Sequence, residues 1–132
     1  MFRELVFGLA LVSGAVGMSG SAAAFDFSFQ WGNIPKCTNG HPGRVPNPVF
    51  KLSKVPKGTA TIRFDMKDLV VPTYAHGGGT VKYSGKNTIG AGAFKYNSPC
   101  PPGGRHTYQW TAVAKDKSGK KLATATAQRK YP

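Results

Sequence analysis

Acidic side chains are scarce in this sequence. Five Asp and Glu stand against 18 Lys and Arg, and the one glutamate is Glu4. Acid–base chemistry beyond the first residues must draw on Asp26, Asp65, Asp68 and Asp116, with His41, His76 and His106 as the only imidazoles. Two cysteines without CxxC spacing, Cys37 and Cys100, make a poor zinc site. The HGGG at 76–79 has no GxSxG nucleophile to serve, so it does not build a lipase oxyanion hole. No GxxxxGK[ST] cradles a phosphate. After residue 25 there is no sustained helical period and no apolar run long enough to cross a bilayer as a helix.

What is present begins with a leader-like segment. "MFRELVFGLALVSGAVGMSGSAAA" carries Arg3, an apolar run from Leu5 to Val12 and a small-residue Ala22-Ala23-Ala24 site. This pattern predicts a signal peptide over 1–24 and one domain over 25–132, exported to the periplasm or the exterior. In an oxidising compartment Cys37 and Cys100 are expected to pair.

The net charge of +13 is unchanged by loss of Arg3 and Glu4 together. Such a balance favours anionic partners: a small phosphate-bearing or other anionic ligand, or peripheral contact with an anionic membrane surface. Export makes nucleic acid an unphysiological target. The plain alternative is that lysine keeps a small exported domain soluble.

The chain after residue 25 reads as mostly β. "FDFSFQW" alternates Phe25, Phe27 and Phe29, and "TATIRFDMK" alternates Ile62, Phe64 and Met66 against polar residues. "HTYQWTAVAKD" and "KLATATAQRKY" form a hairpin about the turn "KDKSGKK". "CTNGHPGRVPNP" and "YAHGGGTVKYSGKNTIGAGAF", rich in proline or glycine, read as loops.

Two places invite chemistry. In "SPCPPGGRHTYQW" an extended backbone puts His106, Tyr108 and Trp110 on one face, as core aromatics or as a pocket wall. Asp68, just after the predicted strand through Met66, precedes His76 by eight residues. It is either a turn former or half of a hydrogen-bonded pair.

Four blocks then line up: "NPVFKLSKVPKGT", "DLVVP", "YAH" and "SPCPPGGRHTYQW", spread over residues 46 to 116. Their order and spacing resemble the phosphatidylethanolamine-binding protein (PEBP) family, in particular its bacterial Raf-kinase-inhibitor-like branch. There the blocks look like "SPPLSWSGVPAGT", "DPDAP", "HW" and "GPCPPSGTHRYRF". The resemblance implies a single-domain antiparallel β-sheet architecture with a small anion pocket at one end of a sheet, and a non-catalytic binder needing no metal or cofactor. It places Asp68 on the first aspartate of DPDAP, His76 on the histidine of HW, and His106 and Tyr108 in the pocket wall, with Pro99, Pro101 and Pro102 as its rim. In such a site a phosphate oxygen would accept from an imidazole N–H, from the tyrosine hydroxyl and from loop amides, with Asp68 orienting and charging a histidine, phospholipid headgroups being among the ligands. Three positions depart from the pattern: Val70 replaces the second aspartate, Gly77 the tryptophan, and Lys51 an apolar partner in the serine-tryptophan neighbourhood. His41, in "NGHPG", reads as a turn outside the site. The rival readings are a degenerate scaffold acting through protein contacts and a metal-dependent hydrolase using Asp68, His76 and His106.

Overall fold

The computed structural model describes residues 24–132, so the expected leader lies, Ala24 apart, outside the described residues. Alternation decides the elements. β1 (Asp26–Phe29), β3 (Phe50–Ser53), β4 (Thr61–Asp68) and β8 (His106–Lys115) each bury every second side chain. Between them lie β2 (Arg44–Pro46), β5 (Gly78–Lys82), β6 (Thr88–Ile89) and β7 (Lys95–Asn97), and β9 (Lys121–Tyr131) closes the order. All pairings are antiparallel. Three sheets result, of order β1-β3-β6, β2-β7 and β5-β4-β8-β9. This is the single-domain, all-strand architecture expected from the patterning.

The core is aromatic and sits between the three-stranded and four-stranded sheets. Phe50 stacks on Phe64 at 4.2 Å between centroids, Trp110 meets Phe50 edge-on at 5.1 Å, and Phe27 meets Phe64 at 5.8 Å. Phe50, Phe64, Tyr96 and Trp110 are wholly buried, each bringing on the order of 2 kcal/mol or more of apolar burial. Tyr96 Oη and Trp110 Nε1 find no hydrogen-bond partner among the described residues. At the open side of the sandwich, Trp31 Nε1 donates to the Lys130 carbonyl at 2.8 Å and the Arg129 guanidinium donates to the Phe29 carbonyl.

The two stretches expected to be loops contain three strands, β2 in one and β5 and β6 in the other, with β7 beginning just beyond. The glycine run was misread because glycine there serves close packing rather than turning. A Cβ on Gly78 would lie 1.7 Å from the Phe64 carbonyl oxygen, and one on Gly79 would lie 2.4 Å from the Phe94 ring. Only a residue without a side chain lets β5 sit against β4 and under Phe94. Asp68 is also the last residue of β4, paired with Tyr108, rather than lying beyond the strand.

Candidate functional site

β4 and β8 run side by side and end together, so Asp68 and Tyr108 face each other across the ladder, with His106 two residues further along β8. The period of two that buries Met66 and Trp110 also turns Asp68, Tyr108 and His106 to the inner face. There Asp68 Oδ2 accepts a hydrogen bond from His106 Nδ1 at 2.6 Å. Its other oxygen, Oδ1, accepts from the amides of Val70 at 2.8 Å and Val71 at 3.4 Å. One carboxylate therefore acts both as turn former and as imidazole partner, the two alternatives open at the sequence level.

That division sets the charge state. Burial pushes the Asp68 carboxyl up, but the His106 hydrogen bond and charge and the two loop amides outweigh it, and the group is held below the usual carboxylate range. His76 is 3 % exposed and its Nδ1 donates to the Asn97 carbonyl at 2.7 Å. A carbonyl only accepts, so the neutral ring presents an unprotonated Nε2. Burial pulls this imidazole below its ordinary value, opposed in part by the Asn97 carbonyl. In each ring one N–H is spent inside the protein, that of His76 on the Asn97 carbonyl and that of His106 on the Asp68 carboxylate, so either imidazole donates to an anion only through an Nε2 that carries a second proton. The Tyr108 hydroxyl, raised chiefly by burial and next by the Asp68 charge, stays protonated throughout the working pH range.

These side chains border a depression of about 220 Å³, walled by Asp68, His76, His106, Tyr108, Pro101 and Pro102. All six residues expected at the site are brought together. Pro99 is not among them, being buried beneath the rim. Sequence reasoning missed Tyr74, Val71, Gly40, Pro42 and Cys100, which also line it. Tyr74 could have been found by its spacing, two residues before His76, whose ring it meets at 4.6 Å. Gly40 and Pro42 come from a segment with no local signal for the pocket. They are carried there by the Cys37–Cys100 disulfide, which forms as expected, and by the Ser98 amide donating to the Gly43 carbonyl at 2.8 Å. His41, beside them, is exposed and outside the pocket.

No Lys or Arg lines this depression. Its charges are Asp68 and, when protonated, His106. The walls supply hydrogen-bond donors and an acceptor in a largely apolar frame, suited to holding a small polar or anionic group. Among the described residues no cluster of three His, Cys, Asp or Glu could hold a metal ion.

The fold that frames this pocket is PEBP-like. A solved structure from Chlamydia trachomatis, described as a phosphatidylethanolamine-binding protein homologue, superposes with a TM-score of 0.60 at 18% identity, over 83% of this chain and 97% of that one. At that identity the likeness is one of fold. No protein-family model matches the chain and no curated protein does.

Proposed function

We propose that this chain is an exported, non-catalytic binding protein whose Asp68–His106–His76 pocket holds a small anionic group. Phosphate and phospholipid headgroups lead the candidates. The observation that carries the reading is the 2.6 Å Asp68–His106 pair at the bottom of a proline-rimmed depression. An imidazolium at 106 gives a phosphate oxygen a charged donor, Tyr108 gives a neutral one, and His76 Nε2 accepts from a protonated phosphate or an ammonium. The headgroup assignment also draws on the description of the Chlamydia trachomatis structure, and membership of the Raf-kinase-inhibitor-like branch rests on the order of the four sequence blocks. The Cys37–Cys100 disulfide is compatible with export.

The test is calorimetric titration with glycerophosphoethanolamine and with inorganic phosphate, at about pH 5.5 and about pH 8. Binding should be tighter at the acid pH, as expected of an anion site built on imidazole donors. His106→Ala should weaken it by about 1.5–3 kcal/mol, and Tyr108→Phe by less, since the ring stays. Equal binding by wild type and His106→Ala would remove the pocket reading.

A second reading, a scaffold that works through protein contacts, is favoured by one observation. Leu69, Val70, Val71 and Tyr74 are all exposed at the pocket mouth, Val70 by 61%. An apolar rim of this kind suits a protein surface as well as a ligand tail.

A further inference from the structure

Eight of the thirteen lysines of this chain gather at the end of the four-stranded sheet opposite the pocket. Thr61, the first residue of β4, pairs with Lys82 of β5 on one side and with Lys115 of β8 on the other, and Lys115 pairs with Lys121 of β9. Directly paired residues project from the same face, so one row across four strands carries three ammonium groups. Two strand spacings put Lys82 and Lys115 roughly 10 Å apart at the backbone. The loops at this end add more. Lys54 and Lys57 lie in the β3–β4 connection, tied here by the Ala60 amide donating to the Lys115 carbonyl at 2.8 Å and by the Tyr83 amide donating to the Ala60 carbonyl at 2.9 Å. Lys86 follows β5, and Lys117 and Lys120 form the β8–β9 turn. The carboxylate at this end, Asp116, is occupied by the turn itself, accepting from the amides of Ser118 and Lys120, each at 2.9 Å. Seven of these eight lysines are exposed, Lys115 being half-buried.

Beside this row opens a depression of about 380 Å³, lined by Lys82 and Lys86 and by the hydroxyl-bearing Thr80, Tyr83, Ser84 and Thr88. It shares no residue with the Asp68 pocket. The seven residue steps along β4 put the two sites roughly 20 Å apart.

We propose that this lysine end is a binding surface for an acidic polysaccharide, a sulfated or uronate-bearing chain that seats a sugar unit in the hydroxyl-lined depression and crosses the Lys82–Lys115–Lys121 row. Charge complementarity selects a polyanion, and the chemistry of the groove selects which. All eight cations are lysines, and Arg63, the arginine paired with Thr80, already commits its fork to both oxygens of Asp65 rather than to a phosphate or base. Tyr83, half-buried, is the one aromatic residue lining the depression, so successive bases would lack a row of rings to stack on. A bilayer would favour a face with apolar side chains to insert, and the exposed run Leu69–Val71 lies at the other end of the sheet. Hydroxyl groups beside ammonium groups match a chain of alternating hydroxyls and acid groups.

The experiment compares two triple variants of the full chain with equal net charge. One, Lys82→Gln/Lys86→Gln/Lys121→Gln, discharges the proposed surface. The other, Lys36→Gln/Lys67→Gln/Lys130→Gln, removes the same charge from elsewhere on the molecule. Affinity for a heparin fragment, measured by fluorescence anisotropy at about 0.15 M salt, should fall about tenfold or more in the first triple and about twofold or less in the second, with a shallower salt dependence in the first only. Equal loss in both triples, or in neither, overturns the proposal. So does duplex DNA of matched charge that binds the wild type as tightly as heparin and loses as much in the first triple. Because none of these six residues lines the Asp68 pocket, titration of glycerophosphoethanolamine should be the same in both triples and reports on that pocket separately.

Discussion

The two ends of β4 spend charge in opposite ways. At the Asp68 end a single carboxylate is met on both oxygens, by an imidazole and by two loop amides, in a nearly closed setting. At the Thr61 end seven exposed lysines and the half-buried Lys115 gather with one carboxylate that the turn has already claimed. A buried charge fixes geometry, because leaving any partner unmet is costly. Exposed like charges fix little geometry and act over distance instead. The overall charge of +13 therefore says little about the pocket, which contains neither lysine nor arginine.

The contrast can be broken most forcefully through the disulfide. Cys37 and Cys100 are 63 residues apart, and cross-linking a loop of that size is worth about 4 kcal/mol in the chain-entropy model. Cys37→Ser/Cys100→Ser should lower the urea midpoint accordingly. It should also weaken headgroup binding by releasing the Gly40–Pro42 wall, while heparin affinity of the still-folded protein stays unchanged. Loss of heparin affinity alongside it would mean that the two ends are not independent.

A smaller effect is expected from Asp68→Ala, which strands a histidine nitrogen and two amides. It should cost about 2–3 kcal/mol in denaturant unfolding. Lys121→Gln, on an exposed side chain, should stay within about 0.5 kcal/mol of wild type. Comparable losses from the two would dissolve the distinction between the ends.

Acid sharpens the same comparison. His76 is held below its ordinary value of 6.5, so as pH falls the unfolded chain takes up that proton first. Stability from this group is complete above about pH 6.5 and declines below it. Asp68 is held below 3.8, so the unfolded state again protonates first, and a second decline begins as pH drops through that region. Thermal midpoints measured from about pH 8 to about pH 3 should fall in these two stages. Lys121→Gln should leave the profile in place, and His76→Gln should flatten the first stage.

How much of this was legible in the sequence follows from how local each signal is. β1, β4, β8 and β9 were readable because alternation is written into consecutive residues, and Phe64, Met66 and Trp110 fell where it put them. Asp68, His76, His106 and Tyr108 could be brought together only through the order of the four blocks, since nothing local says that β4 pairs with β8. The wall at Gly40 and Pro42 was illegible because its placement depends on a disulfide partner 63 residues away. The donor state of His76 was equally hidden, being fixed by the carbonyl of Asn97, a backbone atom that composition does not reveal. The lysine row stayed invisible for the same reason: Lys82, Lys115 and Lys121 become neighbours only through strand register.

Gly78 and Gly79 bear on how this chain tolerates change. In a library of every substitution, those two positions should be as intolerant as the aromatic core, since any side chain would have to displace the β4 backbone or the Phe94 ring. Gly43, Gly90 and Gly103, which have open space around them and ordinary backbone angles, should accept most residues. The stretch that looks most like dispensable linker is thus among the least editable parts of the protein, and a label or fusion belongs in the Ser118–Gly119 turn before it belongs anywhere in HGGG.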